Sequence, residues 1–228
     1  MPPSNPHALP DTASASDDKV LTVVQALQHD IVFGRLKPRE RLVEEELSAR
    51  FAAGRHVIRA VLEELDRQGL VVRRPNRGAV VRDYSMPEIE QLYDMRAILQ
   101  REAALRIPLP GSVKLVTELK AINAEYKRLC RTGDLYQAAF ANERFHKVMF
   151  AECGNPHLAD LIQQFWLKTA AIHSRCYGIG KSNLAARAIE EHKAMIDTIA
   201  RGDRQGLAGL CVSHMNPALE AYRTAFRD

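Results

Sequence analysis

The stretch "GRHVIRAVLEELDRQGLVVRRPNRGAVV", residues 54–81, decides how the first part of the chain folds. Its first half places Ile58, Val61, Leu62 and Leu65 three and four residues apart, the spacing of one face of an α-helix. A glycine follows, in a position where glycine commonly ends a helix. The runs "LVVRR" and "AVVRDY" then flank the tight turn "PNRG", a pattern typical of two short strands. The stretch therefore predicts a helix followed by a β-hairpin.

Two further helices are predicted before this stretch. Apolar residues recur at helical spacing between residues 19 and 34, and "VEEELSARF", residues 43–51, is a second amphipathic segment with acids in its first turn. Three helices and a hairpin within residues 19–84 are the element order of a winged helix-turn-helix. Residues 1–18 are rich in Pro, Ser and acidic side chains and predict a disordered tail without the pattern of a signal peptide.

From residue 85 to residue 228 the sequence contains helix-length periodic segments and no strand pattern. Short turn sequences such as "PLPG", "TGD" and "RGD" separate them. The predicted helices are 87–106, 112–131, 134–152, 157–178, 183–201 and 204–226. Short connections favour antiparallel neighbours, so we expect an all-α bundle of six or seven helices. The expected fold is therefore mainly α, with the winged helix-turn-helix first and the bundle second.

The positive charge of the chain is concentrated in the first part. The net charge is +4, yet residues 50–82 alone hold eight arginines against three acidic residues. A local basic patch of this kind is a plausible footprint for a phosphate backbone. No apolar run is long enough for a membrane span, and the four cysteines form no CxxC pair. We therefore expect a cytoplasmic protein with no membrane partner.

The helix at residues 55–69 carries candidate contacts to double-stranded DNA. Arg55, His56 and Arg59 lie near its N-terminal end and face away from its apolar stripe. Arginine reads guanine with two hydrogen bonds and also grips phosphate. The turn of the hairpin places Arg77 at the tip of a wing, and Gly78 lets the backbone approach closely.

The bundle has polar residues on faces that should be apolar. Asn142 and His146 lie one turn apart on one inward stripe, and His192 and His214 lie on the inward stripes of two other predicted helices. Buried histidines need partners, either as satisfied core residues or as ligands of an ion. Imidazole suits divalent ions such as Zn²⁺ and Ni²⁺, and three imidazoles leave an open coordination position. Periodicity alone leaves both interpretations open.

A buried arginine provides a second candidate binding group. Tyr93, Arg96 and Gln100 share a stripe on the first helix of the bundle, so Arg96 is expected to face the interior. Because a buried guanidinium needs an anionic partner, Arg96 is a candidate for binding an acidic effector together with Tyr93 and Gln100. Arg175 is a further candidate for the same pocket.

The first part of the chain resembles a known family over residues 19–83. "GRLKPRERLVEEELSARF" followed by residues 54–81 is similar to the DNA-binding domain of GntR-type bacterial transcription regulators. The resemblance puts the arginines at 55, 59 and 77 and the glycine at 78 on the family's DNA-contacting positions. The sequence departs from the family pattern at Arg39, where glycine is usual, and at Gly54 and His56, where serine and threonine are usual.

The second part resembles the FCD domain of the FadR-type branch of this family. The motif Asp/Asn-x-x-Phe-His is present as "NERFH", and histidines follow in "EEHKAMIDTIARGD" and "VSHM". The resemblance implies that Asn142, His146, His192 and His214 bind a divalent metal ion. It further implies a small organic acid as effector, with Arg96 at a position where the family has an arginine and Gln100 where it commonly has glutamate.

Two hypotheses about function follow. The first is a homodimeric transcription regulator, favoured as a repressor, that binds a pseudo-palindromic operator under the control of a carboxylic acid. The alternative is a metal-dependent enzyme acting on a small carboxylic acid and fused to a DNA-binding domain. Such an enzyme needs a general base, but no carboxylate shares the stripes of the site, since Glu143 lies about 100° around the helix from Asn142.

Overall fold

A computed structural model of the chain describes residues 12–74, 78–179 and 184–225. By its internal contacts the chain divides into two units. The first consists of Met1–Ile31 and Arg35–Asp83, and the second of Val32–Gly34 and Tyr84–Asp228. None of the described helices is both long and apolar enough to cross a membrane.

The first unit contains three helices and a small sheet. Its elements are α1 (Thr12–Val32), β1 (Arg41–Leu42), α2 (Glu44–Phe51), α3 (Arg55–Arg67), β2 (Val71–Arg73) and β3 (Ala79–Val81). The predicted order of three helices and a hairpin is confirmed. The tail expected over residues 1–18 is wrong for residues 12–18, which form the first turns of α1 because nothing in them interrupts a helix. Residues 1–11 lie outside the described residues.

The sheet has one strand more than the sequence predicted. The order is β1-β3-β2, both pairs are antiparallel, and Leu42 of β1 faces Ala79 of β3. A strand of two residues has no alternation to detect, so hydrophobic periodicity does not predict β1. Arg39, the residue that replaces the family's glycine before β1, has a φ of 68°. This left-handed conformation favours glycine, and the Arg39 side chain forms an ion pair with Asp83 at 2.7 Å.

The apolar stripe of α3 forms the centre of the first unit. Ile58, Val61, Leu62 and Leu65, predicted to face inward, are each at most 1% exposed. Full burial of four branched side chains contributes on the order of 6–12 kcal/mol of transfer free energy. Because this stripe is fixed to the core, the opposite face of α3 is fixed toward solvent.

Gly78 is required by the packing of the sheet. Its φ of +76° lies in the left-handed region, and a Cβ atom built on it would lie 2.2 Å from the carbonyl oxygen of Leu42. Backbone atoms cannot move away cheaply, since the Leu42 residue is held in β1. Any side chain at this position would therefore separate β1 from the start of β3.

The second unit is a bundle with seven helices in its described part. They are α4 (Met86–Arg106), α5 (Val113–Thr132), α6 (Leu135–Ala151), α7 (Pro156–Ile179), α8 (Leu184–Arg201), α9 (Arg204–Ser213) and α10 (Asn216–Ala225). The unit begins with a capping box, in which the Ser85 backbone N–H donates to the Glu88 carboxylate at 2.9 Å. The principal packed pairs are α5 with α6, α4 with α9, α4 with α7 and α5 with α8.

The helix predicted over residues 204–226 is two helices, divided at His214 and Met215. Pro217 causes the division, since it has no N–H to donate to the carbonyl of Ser213 and its ring clashes with that carbonyl in a continuous helix. The break places His214 at the C-cap of α9, where its backbone N–H still donates to Leu210 at 2.9 Å. The expectation of six or seven helices is therefore met through this break.

We expect Gly78→Ala to lower the stability of the first unit by at least about 2 kcal/mol, because it combines an unfavourable φ with a backbone clash. Urea unfolding followed by circular dichroism measures the change. Gly133→Ala is the control, because Gly133 has a φ of +77° but open space around its Cβ position. Equal losses for the two variants would contradict a close approach at Gly78.

Candidate metal centre and nucleic-acid interface

Three histidines from separate parts of the bundle meet at one point. His146 lies on α6, His192 on α8 and His214 at the end of α9. One ring nitrogen from each lies within 4.8 Å of the other two. The Nε2 atoms of His146 and His214 are 3.2 Å apart. Bonds from nitrogen to Zn²⁺ are about 2.0–2.1 Å long, so nitrogens about 3 Å apart are spaced as two ligands of one ion.

The remaining nitrogens of two of these rings are held by neighbouring side chains. Nδ1 of His214 donates to the Glu191 carboxylate at 2.6 Å, and Nδ1 of His192 donates to the amide oxygen of Asn123 at 3.2 Å. Because both acceptors are oxygens, the hydrogen lies on Nδ1 of each ring and the lone pair lies on Nε2. Metal-ligating histidines are oriented in the same way by a carboxylate or a carbonyl group.

Two buried polar atoms point to an absent ligand. Nε2 of His192 and Oδ1 of Asn142 are buried and have no hydrogen-bond partner among the described residues. A buried acceptor without a partner costs on the order of 1–3 kcal/mol, so such atoms require an explanation. An ion held by the three imidazoles supplies one for His192, and Asn142 lies one helical turn before His146 on α6. The three imidazoles therefore fit a divalent ion of the first transition series, and Asn142 is a candidate fourth ligand.

Burial also sets the protonation states at this centre. Desolvation, followed by the Coulomb effect of His214, lowers the pKa of His192 well below its usual value. Burial raises the pKa of Glu191, but hydrogen bonds from His214 and Arg187 outweigh it and lower that pKa overall. His192 is therefore neutral and Glu191 ionised near neutral pH, which are the forms that metal binding requires.

Aromatic packing fixes the position of the innermost histidine. The Phe145 ring stacks on the His192 imidazole with centroids 4.0 Å apart and an interplanar angle of 15°. Tyr126 lies 5.5 Å from the same ring, and the His192 side chain has no exposed surface. The imidazole is therefore held by its neighbours before any ion arrives, which reduces the entropy that ligation costs.

A cavity of about 490 Å³ lies beside the centre, and His146 forms part of its wall. Its surface is mainly apolar, with a few polar side chains. The lining residues from α4 and α6 are Gln100, Glu143, His146, Lys147, Phe150 and Ala151. Those from the following loop and α7 are Gly154, Asn155, Pro156, Ala159, Asp160, Ile162, Gln163 and Trp166. Apolar walls with a small number of polar groups are typical of small-molecule sites.

Of the candidate effector residues, Gln100 lines this cavity and Arg96 lies behind it. Arg96 is 3% exposed, donates to the Thr169 hydroxyl at 2.8 Å and lies 5.3 Å from the centroid of the Tyr93 ring. With its amide oriented to satisfy both neighbours, Gln100 accepts from Arg96 at 3.2 Å and donates to the Cys211 carbonyl at 3.2 Å. Arg96 and Tyr93 are not among the residues that line the cavity. The side chain of Arg175 lies outside the described residues.

Two carboxylates that sequence periodicity did not place at the site contact a histidine or line the cavity beside one. Glu191 contacts His214, and Glu143 lines the same cavity as His146 and accepts a hydrogen bond from Gln163. Helical periodicity missed both residues. Glu191 approaches the rear nitrogen of His214 from another helix, and Glu143 reaches the cavity from the side of α6 that faces α7. Asn123 was missed as well, since nothing in its sequence surroundings distinguishes it.

The predicted DNA-contacting arginines of α3 are exposed and paired with acids of α2. Arg55 donates to Glu45 at 2.9 Å, and Arg59 donates to Glu44 at 3.0 Å. The His56 side chain beside them is exposed. Gly54 caps the helix in an extended conformation without a side-chain hydrogen bond, so the cap usually supplied by serine is absent here.

A shallow recess of about 420 Å³ surrounds these side chains. It is lined by Arg41, Val43, Glu44, Glu45, Arg55, Arg59 and Gly78. The structure therefore brings Gly78 to the N-terminal end of α3 and adds Arg41, which no pattern in the sequence distinguishes. Arg41 reaches the recess because it lies on β1, which pairs with β3. Predicting β1 from the sequence would therefore have identified Arg41 as a candidate. Arg77 lies outside the described residues.

Comparison with known proteins gives two family matches that cover most of the chain. The family "Bacterial regulatory proteins, gntR family" matches residues 19–81, and the FCD domain matches residues 91–217. The second match alone spans more than half of the chain. The regulator YdhC of Bacillus subtilis is 21% identical over 192 residues, which is 83% of this chain and 84% of that protein. The repressor GlaR of Escherichia coli is 27% identical over 150 residues, 61% of this chain and 66% of its own.

Solved structures share the fold. The McbR regulator of Escherichia coli has a TM-score of 0.82 at 19% identity, covering 91% of this chain and 98% of that one. A GntR regulator of a Rhodococcus species has a TM-score of 0.76 at 19% identity, covering 92% of this chain and all of the other. At such identities the likeness concerns the fold, while the family matches concern the sequence. The chain belongs to the GntR family of bacterial transcription regulators, and its second unit is an FCD domain.

Proposed function

We propose that this regulator is a homodimeric repressor whose operator binding is controlled by a small carboxylic acid, bound beside a divalent metal ion in the FCD domain. The observation that carries the proposal is the convergence of three histidines beside a cavity of about 490 Å³, with Asn142 one turn before His146 on α6. The gluconate operon repressor of Bacillus licheniformis, 26% identical over 132 residues, and GlaR are relatives named as repressors. These names support repression over activation.

The metal ion, Zn²⁺ or Ni²⁺, would be held by Asn142 Oδ1 and one nitrogen each of His146, His192 and His214. When bound, it supplies a positive charge at the wall of the cavity and attracts an anionic ligand. The chain's own residues orient the imidazoles through Asn123 and Glu191 and exclude water with apolar walls. Gln100 connects the cavity to Arg96, so a carboxylate in the cavity would also experience the guanidinium behind Gln100.

On the DNA side, α3 would enter the major groove with Arg55, His56 and Arg59 toward the bases or phosphates. Gly78, with Arg77 beside it in the sequence, would bring the wing to the adjacent minor groove. The two α3 helices of a symmetric dimer would read two half-sites of a pseudo-palindromic operator. The exposure of Arg55 and Arg59, together with their position at the N-terminal end of α3, supports this arrangement.

We expect Arg59→Ala to weaken operator binding by about 10- to 100-fold, because the variant loses a contact worth roughly 1–3 kcal/mol. Fluorescence anisotropy with a promoter fragment at fixed salt measures the affinity. Arg67→Ala is the matched control, since Arg67 is also exposed on α3 but lies in its last turn. If both variants lose affinity equally, the N-terminal end of α3 is not the part of the helix that specifically contacts the operator.

We expect Glu191→Gln to lower the affinity for Zn²⁺ or Ni²⁺ by about 10- to 100-fold, since the variant loses the carboxylate that orients His214 and raises its basicity. Competition against a chromophoric chelator measures the affinity. Glu190→Gln makes the same charge change at an exposed neighbouring position. Unchanged affinity in Glu191→Gln would contradict a contribution of the Glu191 carboxylate to metal binding.

We expect a carboxylic acid to raise the melting temperature of the metal-loaded protein, because a ligand that binds only the folded state stabilises it. A thermal-shift screen of small carboxylic acids, with and without chelator, makes the measurement. The stabilisation should disappear with chelator, and the same acid should change the affinity for promoter DNA. If no acid stabilises the protein and chelator has no effect, the metal–acid model fails. Chemical turnover of the acid would favour an enzyme instead.

A further inference from the structure

The wall of the effector cavity contains an anionic acceptor next to the metal centre. Glu143 precedes His146 by three residues on α6, so the two side chains are neighbours on the helix surface, about 5–6 Å apart at their Cβ atoms. Both line the cavity. A ligand that reaches His146 with one end therefore has Glu143 within reach of a group a few bonds away.

Glu143 has hydrogen-bonding capacity left for a ligand. Its carboxylate accepts one hydrogen bond from Gln163, the polar residue opposite it on α7. A carboxylate has about four lone-pair sites, so one such contact leaves acceptor capacity on the cavity side. The pair is also held in place, because Glu143 and Gln163 each lie on a helix of the bundle. Both are only partly exposed.

The charges around the cavity favour a donor over a second acid group. Besides Glu143, the charged lining residues are Lys147 and Asp160, both on the exposed side. Two carboxylates and one ammonium give these three lining side chains a net formal charge of −1. Lys147 is also one turn after Glu143 on α6, so its charge is partly directed to that carboxylate. A second carboxylate on the ligand would be repelled by this wall.

Apolar side chains separate the polar groups. Phe150, Ile162 and Trp166 line the cavity and are buried in the protein. Such a surface accommodates a short hydrocarbon segment between two polar ends. The cavity therefore combines an anion-binding end at the metal centre, an apolar wall and an acceptor at Glu143.

We propose that the effector is a short carboxylic acid carrying a second group that donates hydrogen bonds, an ammonium or a hydroxyl, and that Glu143 is the residue that selects it. This rests on the proposed function, because the carboxylate end needs the metal centre. The donor group binds the Glu143 carboxylate, with Gln163 keeping that carboxylate in position. Plain acids and diacids fill the same space but leave Glu143 without its donor or place a like charge against it.

Isothermal titration calorimetry on the Zn²⁺-loaded full-length protein tests the proposal with straight-chain acids of four to six carbons. Each acid is used unsubstituted, with a hydroxyl or an amino group at carbon 3 or carbon 4, and as the diacid. Substitution at carbon 2 is avoided because it allows chelation of the ion. We expect the best donor-bearing acid to bind at least about tenfold tighter than the unsubstituted acid, and the diacid to bind more weakly still.

Glu143→Gln separates the two kinds of donor. The variant removes the charge but keeps an acceptor oxygen, so we expect a loss of at least about tenfold for an amino acid and a smaller loss for a hydroxy acid. The unsubstituted acid should not bind more weakly, because it has no donor for Glu143 and the variant removes a negative charge that repels its carboxylate. Glu152→Gln, an exposed residue just after α6 that does not line the cavity, is the control and should change nothing. Should Glu143→Gln fail to fold, Glu143→Asp keeps the charge and should retain the preference for donor-bearing acids.

Equal affinity for all forms, a diacid that binds best, or a Glu143→Gln variant that weakens every acid alike would overturn the role of Glu143 while leaving the metal–acid model in place. Absence of binding for every acid, including the unsubstituted ones, would overturn the proposed function and this inference with it. The two failures are therefore distinguishable.

Discussion

A metal ion in the FCD domain would require each of the three histidines to direct a lone pair at the same point, and this requirement would constrain how the helices of the bundle pack. His146, His192 and His214 come from α6, α8 and the end of α9, and Asn123 adds α5 through its hydrogen bond to His192. A shift of one helix along its neighbour would separate nitrogens that now lie within 4.8 Å of one another. The centre is therefore sensitive to the relative positions of four helices, which is the property that an effector-controlled domain needs.

The sequence indicated the candidate ligands but not the side chains that orient two of the histidine rings. Asn142 and His146 stand out because polar residues interrupt an apolar stripe, and that signal is visible in one helix alone. Asn123 and Glu191 act across helices, and no local pattern records which side chain of one helix meets the rear nitrogen of a ring on another. For the same reason the sequence did not predict the hydrogen bonds of Gln100. Its contacts to Arg96 and to the Cys211 carbonyl depend on how α4 packs against α9.

Some local backbone features can also be predicted from the neighbouring sequence, while others depend on distant parts of the chain. The helices of the first unit follow from periodicity, and the break after α9 follows from Pro217, which acts within its own helix. Strand β1 cannot be predicted from periodicity, because its two residues are too few to show an alternating pattern. Its strand conformation depends on pairing with β3, which is distant in sequence. The role of Gly78 also depends on that pairing. Its sequence position indicates a turn, but the constraint is the carbonyl of Leu42, 36 residues earlier in the chain.

The charge around the metal centre depends on Glu191 as well as on the candidate ligands themselves. Three imidazoles and an amide are all neutral, which leaves the charge of a divalent ion for an incoming acid to neutralise. Glu191 changes this balance, since its ionised carboxylate lies 2.6 Å from the Nδ1 atom of His214 and makes that ring a stronger donor. Arg187 in turn pairs with Glu191, so part of the negative charge is already compensated. A bound ion would therefore keep part of its positive charge for a carboxylate, and discrimination among acids would fall to the cavity wall, where Glu143 is placed.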